Sequence, residues 1–483
     1  MTGRIRWYDY LTFNIYWVGL TSLSQTLTPV VLPLLVQQFV GEAQKGRYYG
    51  MLRLGTLMTA LLVQALAGML SDRSASRFGR RRPFIVIGTL ADLVFISLIG
   101  FSAGLSDING YWFLFAVMIL LMFATNTAHA ALQGVIPDLV PDPLRGRFSG
   151  VKAVLEIPLP LILISFTLAR WIGNGNLWGG LIGLMVILFV AMCVALLIPE
   201  QPLSEPPPPL EWAPFVRFAG MTVAFTGIIL GAGYLARLLT QAVVLPTAPV
   251  KSVLLSGVIG LTAMLLAVGF GVWSSLRIGL GDEFKRQPAF GWWVVNRLTF
   301  LIGANNLGSF MIYFFQARLG LVREEAARPA ATLSMLVGIF ILLSALPSGW
   351  LADRFGRKKL VGIAGWLATT GTLIALATPE LTVIYLGSCI LGTGLGLFYS
   401  ANWALGTQVV PSARAGGFLG IANLAGAGAG AIGAYIGGPI ADILSTQIAF
   451  IPGIGYLLIF AVYGVLFVLS TLALKGVSLG APD

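Results

Sequence analysis

The only histidine of the sequence, His129, stands in ATNTAHAALQG with Asn126 three residues before it and Gln133 four residues after it. On a helix, positions i, i+3 and i+7 share a face, so two amides and an imidazole line one side of this segment. Thr21, Gln25 and Thr28 repeat the pattern just ahead of Pro29 and Pro33, which are expected to bend their helix. Asn305, Asn306, Ser309 and Tyr313 form a third polar group; Tyr399, Asn402 and Trp403 form a fourth. Side chains of these kinds exchange hydrogen bonds with hydroxyl groups and stack on ring faces. That is the chemistry of binding, and the chain is not expected to be an enzyme. Each amide also has a plainer use, bonding helix to helix for about 0.6 kcal/mol. A lone histidine is more often a packing residue than a proton carrier. Taken together, the four faces favour a cavity.

Two carboxylates stand inside apolar runs, Glu156 in VLEIPLP and Asp92 in TLADLVF. Glu156 sits ~10 Å in from the end of its run by helical rise, and Asp92 lies at similar depth. Burial penalises the charged form of a carboxyl group, so either residue is a candidate for taking up a proton or a cation, with Glu156 preferred. Cys193 and Cys389 are each alone in an apolar segment, which leaves no disulfide framework and no metal cluster. LAGAGAGAIGAYIGG (424–438) resembles a phosphate-cradling loop only superficially. No strand precedes it, and its small residues every four positions let helices touch; LGTGLGLF (391–398) reads the same way. No metal, cofactor or ATP site is expected, so energy must come from a gradient or from the solute itself.

The charged residues cluster elsewhere. SDRSASRFGRRRPF (71–84) packs five arginines into fourteen positions, and ADRFGRKK (352–359) is a shorter echo. Asp72 and Asp353 each end an apolar run and are followed at once by arginine, so acid–base pairs are expected there. Asp138, in VIPDLVP, can meet an arginine of the first loop, and Gly68 and Gly349 are expected to permit close helix approach.

All of these residues must be positioned by membrane-spanning helices. The chain is 57% hydrophobic and 10% charged, too little charge for a soluble protein of 483 residues. About fourteen apolar runs are long enough to cross a bilayer: roughly 11–38, 49–70, 84–104, 111–137, 149–170, 177–198, 215–242, 251–276, 290–317, 331–351, 360–378, 381–406, 417–442 and 451–474. No alternating decamers occur, so helices rather than a barrel satisfy the backbone. With the N-terminus inside, about twenty of the thirty Lys and Arg fall on one side, against about nine on the other. The net charge of +11 is therefore topological and not a nucleic-acid signal. Arg4 and Arg6 precede a run too long for a signal peptide, which reads as the first retained helix.

The basic phrase belongs to a larger repeat. GMLSDR (68–73) is answered by GWLADR (349–354), and VIPDLVPDPLRGRFSG (135–150) by GTQVVPSARAGGFLG (406–420). Both basic loops fall on the cytoplasmic side, so the halves share an orientation. Between them, LIPEQPLSEPPPPLEW (197–212) favours an extended spacer. Two further spans then keep the parity of the second half.

Two six-helix halves, each with G-x-x-x-D-R…G-R-[RK]-[RK] between its second and third helices, resemble the major facilitator superfamily. LLVQALAGMLSDRSASRFGRRRPF (61–84) is similar to the glycoside–pentoside–hexuronide:cation symporters, and especially to the sucrose transporters among them. The resemblance implies a cytoplasmic clamp in the outward-open state formed by Asp72, Arg73, Arg77, Arg80, Arg81, Asp138 and Arg145, with Asp353, Arg354 and Arg357 in the second half. It implies a central cavity lined by the first, fourth, seventh and tenth helices, where Gln25, Asn126, His129, Gln133, Asn305, Asn306, Tyr313, Tyr399, Asn402 and Trp403 fall. It also places the helix of Asp92 at the periphery. The sequence departs from the pattern in two places: Gln133 stands where sucrose transporters carry a membrane arginine, and helix 2 lacks the acids of the sodium-coupled type, holding only Arg53 and Gln64.

The expected protein is an all-α polytopic membrane protein with a six-helix bundle (1–198), a Pro-rich linker (199–213), a two-helix insert with its loop (214–289) and a second six-helix bundle (290–483). The expected activity is alternating-access symport of a sugar or glycoside with a cation, a proton being favoured, by a monomer in the cell membrane with both termini cytoplasmic. The competing expectations are proton-driven export of a lipophilic compound, and a non-transporting factor that handles a pigment or lipid.

Overall fold

The computed structural model describes residues 6–200, 202, 209–281, 285, 287–323, 325–410, 415–448 and 452–478. Residues 201 and 203–208 of the expected linker, and the PSAR tetrapeptide 411–414, lie outside the described residues. Regular structure among the described residues is helical throughout. The helices are α1 (Asp9–Val40), α2 (Lys45–Asp72), α3 (Arg82–Ser102), α4 (Asp107–Leu139), α5 (Pro143–Gly173), α6 (Leu177–Ala195), α7 (Ala213–Val243), α8 (Pro249–Leu280), α9 (Pro288–Ser309), α10 (Met311–Leu319), α11 (Ala327–Phe355), α12 (Arg357–Ala377), α13 (Leu381–Val409), α14 (Gly420–Gln447) and α15 (Ile454–Gly476). Among the described residues, 13 of these are long and apolar enough to cross a membrane alone, and α9 with α10 makes a further span bent by 61°. With no water in the bilayer core, each such span must satisfy its backbone internally, which only the helix does segment by segment. The chain is a multi-pass membrane protein.

The breaks in these helices follow from the sequence. In α1, Pro29 lies in a π-helical turn over Leu27–Val31, which loosens the ladder where a proline supplies no N–H. In α5 the helix Asp142–Glu156 stops at Ile157 and resumes at Pro158, so Glu156 is the last residue before a break. The bend between α9 and α10 falls at Phe310, directly after the Gly308–Ser309 pair, a pairing that commonly marks a sharp kink.

The chain forms two compact units, one holding the residues through Phe39 and Thr59–Val216, the other Val40–Met58 and everything from Arg217 onward. In the first unit α3 packs on α4, and α6 packs on α1 and α3. Its core gathers Tyr16, Trp17, Leu132, Val135, Phe148 and Met192. In the second, α13 lies against α11 and α12, α9 against α14 and α15, and α8 against α14. The glycine-rich run is a packing surface here: a Cβ at Gly428 would overlap the Phe225 ring, and one at Gly433 would overlap the Asn306 amide. The outward faces of α7 and α8 expose Val223, Leu238, Leu254, Val258 and Phe270, a surface suited to acyl chains.

Candidate functional site

The two basic phrases share a turn. Gly79 (φ +104°) and Gly356 (φ +87°), the glycines of the two FGR triplets, both occupy the left-handed half of φ space, where a Cβ is strained. The turns differ in what they hold.

After the first, Arg81 is buried to 5% exposure at the start of α3. Its Nε and Nη2 donate to Asp138 Oδ2 at 3.0 and 2.8 Å, Nη1 donates to Ser71 Oγ at 2.6 Å, and Nη2 pairs with Asp72 Oδ1 at 2.5 Å. Arg80 also pairs with Asp138. Glu200, at the end of the chain segment beyond α6, accepts the backbone N–H groups of Arg81 (2.6 Å) and Arg82 (3.0 Å), capping the N-terminus of α3. The structure thus gathers Asp72, Arg80, Arg81 and Asp138. It leaves out three other expected members. Arg73 donates to the Met69 carbonyl of its own helix, Arg77 lies over the Phe78 ring, and Arg145 caps α4 through the carbonyls of Pro137 and Val140.

After the second turn no such cluster forms among the described residues. Asp353 is exposed and makes no ion pair among the described residues; Arg354 lies over Trp350, and Arg357 donates to the Ala404 carbonyl. The repeat itself explains the difference. With Pro141 matched to Pro411, Asp138 corresponds to Gln408, so the second half has no carboxylate at that position to collect its arginines. The expectation for Gly68 and Gly349 is also corrected. A Cβ at either position meets nothing within 4 Å, because neither face is packed.

A second cluster lies deeper in the same unit. The amides of Gln64 and Gln133 stand 3.3 and 3.2 Å from the two ring nitrogens of His129, and the Trp17 ring meets the imidazole edge-on. Lys152 Nζ rests 3.8 Å from the centre of the Trp17 ring and 3.6 Å from Glu156 Oε2. His129, Gln133 and Glu156 therefore come together, with Trp17, Gln64 and Lys152 as partners the polar-face pattern did not mark. Lys152 did carry a signal, being a charge inside an apolar run. Asn126, on the same helix face, instead donates back to the Met122 carbonyl. Gln25 is half-buried in α1 without a hydrogen bond among the described residues. Asp92 is apart from this group: it is fully buried, accepting from Thr125 of α4 at 2.6 Å. That contact is a bond between α3 and α4.

In the other unit the expected binding residues divide. Asn305 and Asn306 of α9 donate to the Gly426 and Ala429 carbonyls of α14, which is helix-to-helix bonding rather than a cavity lining. Tyr313 is fully buried among Tyr49, Phe310 and Tyr456, with Lys45 Nζ 4.7 Å from its ring centre. Asn306 and Tyr313 are fully buried, which leaves neither of them a face for a solute, whereas Asn305 is only half-buried. Asn402 and Trp403, however, converge on Arg297, as does the half-buried Tyr399. Arg297 Nη1 donates to Asn402 Oδ1 at 3.0 Å, and Asn402 is fixed in turn by Asn296 and by the Trp293 indole.

A further polar group lies in that unit around Asp442 of α14. Its carboxylate accepts from the first backbone N–H groups of α2, Gly46 at 3.0 Å and Arg47 at 2.7 Å, and from Tyr456 at 3.2 Å. Lys45 is buried beside it, its Nζ donating to Glu42 and Gln316 at 2.5 and 2.6 Å. An aspartate from one helix thus caps the N-terminus of another.

Residues 297–482 match the family model described as Major Facilitator Superfamily. The sucrose transport protein SUC3 of Arabidopsis thaliana is 29% identical over 126 residues, 25% of this chain and 20% of that protein. Myo-inositol transporter 2 of Schizosaccharomyces pombe is 35% identical over 123 residues, 24% of this chain and 22% of its own length. The chain thus spans about a fifth of the length of the curated relatives it matches. Among solved structures, the nucleoside transporter NupG superposes with a TM-score of 0.64 at 13% identity, covering 96% of this chain and 99% of that one. The POT family transporter PepTSo gives 0.64 at 12% identity, covering 98% and 99%. The chain has the major facilitator fold, as an all-α multi-pass membrane protein that resembles the sugar transporters of that superfamily.

Proposed function

We propose that the protein is a secondary transporter that works by alternating access and takes up a sugar or glycoside together with a proton. The observation that carries this reading is the group in the first unit where the Lys152–Glu156 pair adjoins Trp17, His129, Gln64 and Gln133. It offers amides for hydroxyl groups, an indole for a sugar face and a carboxylate beside its counter-ion. Protonation of Glu156 weakens its hold on Lys152, which links proton uptake to a rearrangement of the binding surface. The names of two relatives point the same way, since sucrose and myo-inositol are both polyhydroxyl solutes. The positive-inside bias puts the Arg81 cluster at the cytoplasmic face, with both termini, and there it serves as a catch made and broken as the poses exchange. We assign the duplicated halves to 1–198 and 290–483, with 214–289 as an insert.

The test is counterflow in proteoliposomes with a panel of sugars, glycosides and dyes, followed by uptake under an imposed inward proton gradient. Symport requires gradient-driven accumulation of a sugar. In Glu156→Gln, accumulation fails while exchange survives; unchanged accumulation would remove Glu156 from the coupling role. Dye efflux without sugar counterflow would replace symport by export. Flux of neither kind, with copurification of a protein complex, would replace it by an assembly role.

A further inference from the structure

We infer that Lys152 holds the place of the solute: its ammonium covers the indole face of Trp17 on which a sugar ring would stack, and the solute binds by displacing it. This deepens the transport reading and rests on it. Trp17 has the aromatic face that reading needs, yet it is only 3% exposed. Lys152 Nζ lies 3.8 Å from the centre of its ring. The carbons of a stacked sugar would occupy the same layer, about 3.5–4.0 Å from the ring. The side chain of Lys152 is 29% exposed and that of Glu156 33%, so the covering group, unlike the ring beneath it, is within reach of a solute.

The cover is held loosely. A lysine kept only as the counter-ion of Glu156 would close on it to about 2.7–2.9 Å, whereas Nζ stands 3.6 Å from Oε2. Lysine four residues before glutamate is also the weaker order for a pair on a helix. The ammonium is thus shared between a ring and a carboxylate, and protonation of Glu156 removes the second hold. The helices packed on α5 bring few other charges. In α1 only Asp9 is charged, ~12 Å along the helix from Trp17 by helical rise. In α4, His129 has an amide at each ring nitrogen, Asp138 is paired with Arg80 and Arg81, and Asp107 is at the opposite end; α6 carries no charge. The lysine keeps its place only while both holds last. Proton and solute therefore favour each other, because each takes one of them away.

The experiment labels the lysines of the purified protein by reductive carbon-13 methylation, which keeps their charge, and reads their NMR signals. An amine over an indole is shifted upfield. That signal should vanish in Lys152→Arg, which carries no amine to label, and move to the ordinary position in Trp17→Leu. It should move likewise when a sugar that shows counterflow, drawn from glucose, galactose, lactose and methyl glucoside, is added to saturation. Acid should move it part of the way, and Glu156→Gln should show the acid position at every pH. Wild type should bind the sugar ~3–10-fold more tightly in acid than in alkaline buffer. Lys152→Ala should bind it ~10-fold more tightly than wild type in alkaline buffer, with no pH dependence. Lys152→Arg, which keeps a cation on the ring, should retain that dependence. No upfield signal, an upfield signal that a counterflow sugar leaves in place, or a pH dependence that persists in Glu156→Gln would overturn the assignment while transport stands. Counterflow of no sugar, with the upfield signal intact, would overturn transport and the displacement with it.

Discussion

Replacing Gly134 of α4 by alanine tests the Arg81 cluster with two effects of opposite sign. A Cβ at Gly134 would stand 2.7 Å from Arg81 Nε and closer still to Cζ and Nη2. The guanidinium must then move off Asp138, which it holds through Nε and Nη2. Asp138 has a side chain 26% exposed, so the low end of the range for charge-assisted bonds applies, ~1.5 kcal/mol each. Losing both costs about 3 kcal/mol. Alanine in a helix interior is favoured over glycine by ~1 kcal/mol, which leaves a net loss of about 2 kcal/mol. Denaturant unfolding of the purified protein, followed by the fluorescence of its 12 tryptophans, measures it. In an Arg81→Ala background the contact is already gone, and the same Gly134→Ala change should stabilise by up to ~1 kcal/mol. If Gly134→Ala is as stable as wild type while Arg81 is present, the guanidinium is not seated against Gly134.

Other perturbations probe the remaining clusters. Asp442→Ala should free the Gly46 and Arg47 amides at the start of α2 and speed their hydrogen exchange by an amount equivalent to ~1–2 kcal/mol, with Asp442→Asn intermediate; unaltered exchange would deny the cap. Asp353→Asn should leave unfolding stability within about 0.5 kcal/mol, whereas Asp138→Asn should lower it by ~1–3 kcal/mol. Equal effects would refute the asymmetry between the two repeats. Gly371→Ala puts a Cβ 2.5 Å from the Gly387 carbonyl oxygen and the Leu391 nitrogen, backbone that cannot yield, so a loss of ~1–3 kcal/mol is expected despite the better helix former. A more stable variant would mean that α12 and α13 are not in contact there.

The candidate site was legible in the sequence only where a charge or an amide interrupted an apolar run. Helical spacing placed His129 and Gln133 on one face correctly, because 3.6 residues per turn fixes which side chains are neighbours within one helix. It could not say that Asn126 would turn back to its own backbone, or that Asn305 and Asn306 would be spent on α14. Those outcomes depend on which helix lies opposite, and the residues that decide it are far away in the chain. Lys152 and Arg297 were visible as charges inside spans, yet their partners Trp17 and Asn402 come from other helices. Asp442 was visible as a charge in an apolar run, but its role was not, since a cap supplied from a different helix leaves no local motif.

Composition and periodicity alone determined that the chain is a bundle of membrane helices, because a bilayer permits so oily a sequence no other way to satisfy its backbone. The repeat determined the two glycine turns, because positive φ is a demand of the local backbone that only a few residue types meet. Tertiary structure decided which acids find which bases. Asp72 and Asp138 enclose Arg81 while Asp353 stands exposed. An ion pair needs two side chains within about 4 Å of each other, and that distance is set by how helices pack rather than by what either helix spells.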